Sequence, residues 1–587
     1  MRIWQPWAVS SFLVAVLAAP AVADEPPEKE AAEQTWEGIL KIGEASLRLV
    51  LHVKEGAGGA LSATLDSPDQ GASGLAVDSV TRDKTRLTFE LKKLGAKFDG
   101  KFNAKGTEAV GTFSQGGADF PLTLKQSAAA LAGAKAAANE QLWEGKLGVA
   151  AGIKIRLILR VVKEKSGALV ATLDSPDENL KGLKVDPITI DKDKLAFELK
   201  VTAARYEGKL NAEGTEAEGH WMQRGAKLPL TFKRTEKVAE VRRPQTPQPP
   251  FPYKAESVSY ANKAGGVTIA GTLTIPPGTG PFPAALMISG SGAQDRDEMI
   301  LGHRPFAVIA DALSRRGVAV LRVDDRGVGG SSGKTAESTT DDFAGDVLAG
   351  VAFLKARPEI DPKAIGLIGH SEGGIIAPIA AGRSQDVAFI VLLAGTGLPG
   401  EDILYLQGGL ILQAMGATQA AIDKQKATQK RLFEILKNEK DPKTASAKLR
   451  ESAKESLKDL SEAERKELGD VDALLSAQLK AVESPWFRYF LTYDPRPALA
   501  KVTCPVLALG GEKDLQVPPR ENLSEIDKAL KAAGNRRGTV KELPGLNHLF
   551  QTCRTGNVTE YAEIEETFAP SALTLLGDWV LEQVKSR

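Results

Sequence analysis

Short runs of alternating apolar and polar residues fill most of positions 34–234 of the chain, among them Ser46-Leu47-Arg48-Leu49-Val50-Leu51-His52-Val53 and Arg86-Leu87-Thr88-Phe89-Glu90-Leu91. A period of two puts alternate side chains on one face of an extended strand, and the glycine-rich turns between the runs predict an antiparallel meander. The pattern occurs twice. Gly59-Ala60-Leu61-Ser62-Ala63-Thr64-Leu65-Asp66-Ser67-Pro68-Asp69 recurs as Gly167-Ala168-Leu169-Val170-Ala171-Thr172-Leu173-Asp174-Ser175-Pro176-Asp177, at an offset of 108. Each copy opens with Trp-Glu-Gly, at Trp36 and Trp143. Eight segments fit in each copy, which predicts two tandem all-β antiparallel repeats, barrel or lipocalin-like, over 34–126 and 141–234. The tryptophans are either plugs of the barrel interior or platforms for a carbohydrate, and an envelope or polymer ligand of the repeats is an open expectation. The alanine-rich stretch 127–140 joins the copies. The Pro-rich stretch 235–252 is predicted to be an extended, semi-rigid linker with little surface for coupling the repeats to the rest of the chain.

From 253 to 587 the pattern changes. Continuous apolar runs, Ala284-Ala285-Leu286-Met287-Ile288-Ser289, Val318-Ala319-Val320-Leu321-Arg322-Val323, Phe389-Ile390-Val391-Leu392-Leu393-Ala394 and Pro505-Val506-Leu507-Ala508-Leu509-Gly510-Gly511, alternate with helical segments. That predicts an α/β domain whose mostly parallel sheet is covered on both faces. A last strand is expected over 540–548, ending in a histidine. About 400–494 runs a charged, alanine-rich insertion with helical spacing, the pattern of a lid. Its centre, 423–479, mixes lysine and glutamate and is expected to face solvent. Its more apolar ends carry Tyr405, Trp486, Phe487 and Phe490, which either line an acyl pocket or anchor the lid.

The chemistry is concentrated in Ile365-Gly366-Leu367-Ile368-Gly369-His370-Ser371-Glu372-Gly373-Gly374, an apolar strand that enters a G-x-S-x-G turn and leaves it as a helix. Such an elbow forces a strained backbone on Ser371, and small residues at Gly369 and Gly373 let strand and helix approach. The helix then aims its amino end, and the backbone N–H of Glu372, at an oxyanion forming on an attacked acyl carbon. Gly290-Ser291-Gly292-Ala293-Gln294-Asp295 follows an earlier strand, and the turn Ser291, Gly292, Ala293 is suited to offering a second N–H. Asp514 follows a late strand and His548 comes after it, in the order Ser, Asp, His. Among the five histidines, His548 is the only one after that acid. Glu512 is the competing acid; His303 and His370 read as structural, as does Arg326.

With these residues in place, 254–587 resembles the α/β-hydrolase family, and within it bacterial carboxylesterases of the EstD type and related serine-aminopeptidase-like hydrolases. The carriers are Gly290 to Glu298, Asp324-Asp325-Arg326-Gly327, Gly369 to Gly374, Gly511-Glu512-Lys513-Asp514 and Gly545-Leu546-Asn547-His548. The resemblance implies an α/β-hydrolase domain with a helical lid and cleavage of a small-molecule carboxylic ester through an acyl-enzyme. A serine peptidase or thioesterase of the same fold stays open, as does an envelope binding protein with a vestigial hydrolase. The oxyanion loop lacks the His-Gly-Gly-Gly form of lipases. Arg296, flanked by Asp295 and Asp297, either reaches a charged group of the substrate or forms a loop ion pair.

Composition narrows the partners. Lys plus Arg and Asp plus Glu both number 75, and this zero net charge favours neither nucleic acid nor an anionic surface. No histidine and carboxylate cluster with metal-ligand spacing is visible, and neither metal nor cofactor is expected. Residues 1–23 read as a signal peptide, an apolar core after Arg2 that is too short to span a bilayer and that precedes Ala21-Val22-Ala23. The mature chain is therefore expected to be periplasmic or secreted, without an integral membrane segment. Cys504 and Cys553 are expected to be free thiols, because a strand of about 17–20 Å separates the two ends of the sheet.

Overall fold

The computed structural model describes residues 33–126, 140–238, 242–457, 479 and 481–585, apart from short turns between 43 and 225. The expected signal peptide, the joining stretch 127–139 and lid residues 458–478 lie outside the described residues.

Two antiparallel nine-stranded sheets occupy 33–126 and 140–235. In each the first strand pairs with the last, Trp36 with Gln126 and Trp143 with Arg234, so the sheet rolls into a nearly closed barrel. The roll closes where the chain steps from one edge to the other. Val77 N–H donates to Ala63 O, and the next residue, Asp78, donates to Glu90 O. This step divides the chain into the short strands Ala72–Ala76 and Ser79–Arg82, which is why there are nine strands where the alternation predicts eight. Alternation decides the interior: Leu87, Phe89 and Leu91 point inward from Arg86–Leu91, and Phe89 stacks on Phe98 at 5.3 Å. Trp36 and Trp143 are at most 1% exposed and act as interior plugs, not as platforms.

The third sheet runs through eight strands: β1 Lys254–Asn262, β2 Val267–Ile275, β3 Phe282–Ile288, β4 Ala319–Val323, β5 Ile360–His370, β6 Phe389–Leu393, β7 Val506–Gly511 and β8 Gly538–Leu543. Their spatial order is β1-β2-β4-β3-β5-β6-β7-β8, parallel from β4 onward. The central strands are apolar on both faces because both faces are covered. One layer holds α1 (Pro305–Ser314), packed with the C-terminal helix Pro570–Lys585. The other holds α2 (Thr340–Lys355), α3 (Gly373–Arg383) and the helix Pro519–Ala532, together with the insertion. That insertion contributes α4 (Gly400–Ala414), α5 (Gln419–Asn438), α6 (Pro442–Leu457) and α7 (Pro485–Thr492). Lys424, Lys426, Lys430 and Glu434 on α5 are exposed, as the charge pattern predicts, but Phe433 and Leu436 on its other face are buried in the core.

The first barrel forms a compact unit of its own, whereas the second barrel forms one unit with the third sheet. The Pro-rich stretch differs from the expected spacer. Arg243 and Gln245 hydrogen-bond to residues 301 and 562–568, and Leu301, Leu549, Val558 and Tyr561 share one buried cluster with the core of the second barrel. Each leucine so buried contributes roughly 1.5–3 kcal/mol, more than a solvated linker supplies. Alternation along the barrel strands reveals an inward face but not an apolar end that seats a neighbouring loop.

Candidate active site

Ser371 follows β5 directly and precedes α3, with φ +53°, the left-handed region that a serine enters only under constraint. Its N–H donates to Leu393 O at 2.8 Å, and its carbonyl accepts from Gly374 N–H at 2.9 Å, so sheet and helix both hold the strained turn. A Cβ on Gly369 would collide with the Gly373 carbonyl, and one on Gly373 with the Ile288 carbonyl. The predicted need for small residues on both sides of Ser371 thus has a definite backbone cause.

Asp514 lies three residues past β7. Its Oδ1 accepts from the N–H groups of Gln516 and Val517, both at 2.8 Å, and its Oδ2 meets His548 Nδ1 at 2.8 Å. Both side chains are buried, at 1% exposure or less. Glu512, the competing acid, caps the turn at Gly545 N–H (2.7 Å). β8 ends at Leu543, not at 548, so the histidine rides on a loop. Asn547 braces that loop, its Oδ1 accepting from Leu549 and Gln551 N–H at 3.0 and 2.9 Å.

The turn at Ser291, Gly292 and Ala293 is pinned at both ends. Gly290 N–H donates to Glu298 Oε1 at 2.6 Å, and Gln294 N–H donates to Asp325 Oδ2 at 2.8 Å. A Cβ on Gly290 would lie 3.2 Å from Ser371 Cβ, which places the turn beside the serine.

Residues 285–556 match the alpha/beta hydrolase family. That stretch, a little under half of the chain, is an α/β-hydrolase domain. Esterase EstD of Thermotoga maritima is 27% identical over 285 residues, covering 48% of this chain and 58% of that esterase, less than two thirds of its length. Among solved structures, the Pyrococcus furiosus esterase is 16% identical with a TM-score of 0.35, covering 60% of this chain and 98% of its own. Est1E from Butyrivibrio proteoclasticus, solved with ferulic acid, is 18% identical with a TM-score of 0.33, covering 56% and 99%.

In this α/β-hydrolase domain the residues flanking the elbow are wired to distant elements. His370 presents Nδ1 to Glu298 Oε1 and Nε2 to the His548 carbonyl, both at 3.0 Å. Burial opposes a charge on His370, but the Glu298 carboxylate and the His548 carbonyl outweigh it and hold its pKa above the ordinary value. Glu298 therefore links the Ser291 to Ala293 turn to the elbow, a link that nothing in its sequence spacing announces. Glu372 accepts at Oε1 from Thr340 Oγ1 on α2 and from Trp486 Nε1 on α7, each at 2.7 Å. Burial pushes its carboxyl up to about 7 against those two hydrogen bonds, which favour the charged form. Desolvation raises the pKa of Asp325, a half-buried residue, well above the usual carboxylate range although Ser289 and Gln294 donate to it. A small cavity of about 40 Å³ is bordered by both carboxyls.

Arg296, a candidate pocket residue, is instead engaged by Asp324 through Nε (3.1 Å) and Nη2 (2.6 Å) and by Thr272 through Nη1 (2.9 Å). The aromatic candidates anchor the lid. Trp486 is tied to Glu372 and stacks on Phe490, Phe487 is buried in the core, and Tyr405 bonds Glu401 and packs on Phe433. Arg326 is buried in an ion pair with Asp346 (2.6 Å), and His303 bridges Thr567 and the Tyr561 carbonyl. Both cysteines are free. Among the described residues no cluster with the makings of a metal site occurs, and no helix is long and apolar enough to cross a membrane.

Proposed function

We propose that this hydrolase is a serine esterase in which Ser371 is the nucleophile, His548 the general base and Asp514 its orienting acid. The observation that carries the reading is the buried His548 to Asp514 hydrogen bond of 2.8 Å, on a loop whose His548 carbonyl lies 3.0 Å from Nε2 of His370, the residue before a serine held at φ +53°. A neutral hydroxyl is a weak nucleophile, so His548 takes the Ser371 proton as its oxygen attacks the ester carbonyl. Asp514, locked by two backbone donors, fixes the imidazole tautomer and stabilises the imidazolium that forms. The N–H of Glu372 and a donor from the Ser291 to Ala293 turn stabilise the tetrahedral oxyanion, where losing one such donor typically costs about 3 kcal/mol. His548 then returns the proton to the leaving alcohol, and water hydrolyses the acyl-enzyme through the same base. The leader-like residues 1–23 support export to the periplasm or beyond. The substrate is a small-molecule ester, with an envelope or polymer ligand of the barrels as the accompanying proposal.

The test is turnover of p-nitrophenyl esters against aminoacyl anilides, together with fluorophosphonate labelling, in the wild type and Ser371→Ala. Ester turnover and labelling that both vanish in the variant are expected. Labelling that persists, or a preference for anilides, would overturn the assignment.

A further inference from the structure

The Pro-rich strap and the second barrel converge on the loop that carries His548. Arg243 donates from Nη1 to Ile564 O (3.0 Å) and from Nη2 to Leu301 O (2.8 Å) and Ala562 O (3.0 Å). These carbonyls belong to two separate segments, one after the oxyanion turn and one after His548. Two residues along the strap, Gln245 grips the second segment as a strand would: Oε1 accepts from Thr567 N–H (2.6 Å) and Phe568 N–H (3.0 Å), and Nε2 donates to Phe568 O (2.7 Å). From the other side the core of the second barrel takes in Leu549, the neighbour of His548, together with Tyr561. The Tyr561 hydroxyl accepts from Gln516 Nε2 (3.1 Å), and the N–H of Gln516 is one of the two that hold Asp514.

The sheet itself does not position His548, which sits five residues beyond the end of β8. Its place depends on what packs against the loop. A guanidinium, with its donors in a rigid planar fork, can serve three carbonyls on two segments at once, which an ammonium point charge cannot reproduce. The site is also a low-dielectric one: burial lowers the Arg243 pKa to about 10, with Asp177 of the second barrel favouring the charge and Arg156 opposing it. Hydrogen bonds made there are correspondingly stiff.

We propose that Arg243 is a positioning residue for ester hydrolysis: by tying the Leu301 and 562–564 segments together against the second barrel, it holds the His548 loop, and through Tyr561 and Gln516 the Asp514 loop, in register with Ser371. The proposal rests on the Ser371, His548 and Asp514 reading given above. It makes the second barrel part of the catalytic unit and not a detachable appendage.

The experiment uses the full-length chain with Arg243→Ala, Arg243→Lys and Tyr561→Phe, assayed on p-nitrophenyl acetate and by the rate of fluorophosphonate labelling. Misplacing a catalytic group by about 1 Å costs on the order of 100-fold, so kcat of Arg243→Ala should fall roughly 10- to 100-fold with KM within about threefold. Labelling should slow in parallel. Added ethylguanidinium should restore part of the loss, and the lysine variant should recover less than wild-type turnover. Tyr561→Phe removes only the hydroxyl link to Gln516 and should lower kcat several-fold while lowering the melting temperature by no more than about 3 °C. If Arg243→Ala does not fold, the Tyr561→Phe result decides. A folded Arg243→Ala with kcat within about twofold of wild type, a KM effect alone, or an unchanged kcat in Tyr561→Phe would overturn the proposal. Ser371→Ala run alongside separates the two ideas, because turnover that survives in it defeats the triad reading whatever Arg243 does.

Discussion

Glu372→Gln should make the protein progressively more stable than wild type as pH rises from about 4.5 to about 7. The Glu372 carboxyl is fully buried and its pKa stands at about 7 against 4.5 for the ordinary group. The folded state thus retains a proton over a range where the unfolded chain has released it. With more protons bound by the folded state, stability falls as pH rises through this window and is flat above it. A gap of about 2.5 pK units corresponds to ~3 kcal/mol. Glutamine keeps an acceptor for Thr340 and Trp486 and carries no charge, so it removes the titration and keeps the latch between elbow and lid. Any constant cost of the substitution cancels when the difference between variant and wild type is followed with pH. For a unit of this size 1 kcal/mol scales to roughly 1 °C, so the melting-temperature difference should grow by about 3 °C between pH 4.5 and pH 8. Differential scanning fluorimetry of both proteins in matched buffers reads it. A difference that stays constant within about 1 °C, or that grows toward acid, would refute the burial argument.

His303 titrates with the opposite sign: burial lowers its pKa to about 4, so it contributes stability above pH 6.5 that is lost as pH falls through 4, and His303→Gln should flatten that acid limb in the same melting assay. Asp514→Asn should lower kcat on a p-nitrophenyl ester by about four orders of magnitude through the wrong imidazole tautomer, whereas Glu512→Gln, which only loosens the Gly545 turn, should stay within about tenfold. Gly369→Ala should abolish soluble expression or the melting transition of the hydrolase unit, because its methyl has no space beside the Gly373 carbonyl; a folded, active alanine variant would show that the elbow yields.

Local physics was legible in the sequence. The elbow at Ser371 could be read because a turn that tight admits only small neighbours, and the buried strands because a sheet covered on both faces needs uninterrupted apolar runs. The repeats could be read because alternation and glycine turns recur at a fixed offset. Partner choice was legible only in part, Asp514 being favoured over Glu512 by its place after the strand. Asp514 and Glu512 lie two residues apart at the end of the same strand, and only the fold of the His548 loop decides which carboxylate meets the imidazole. Glu298 and His370 are 72 residues apart, Trp486 and Glu372 are 114 apart, and Arg243 lies 319 residues from the carbonyl of Ala562. Periodicity reports how deeply a side chain is buried and where a chain turns. It carries no record of which distant carbonyl or carboxyl a buried polar group will find, because that is settled only when the loops, held by nothing in their own sequence, are packed against the sheet, the lid and the second barrel.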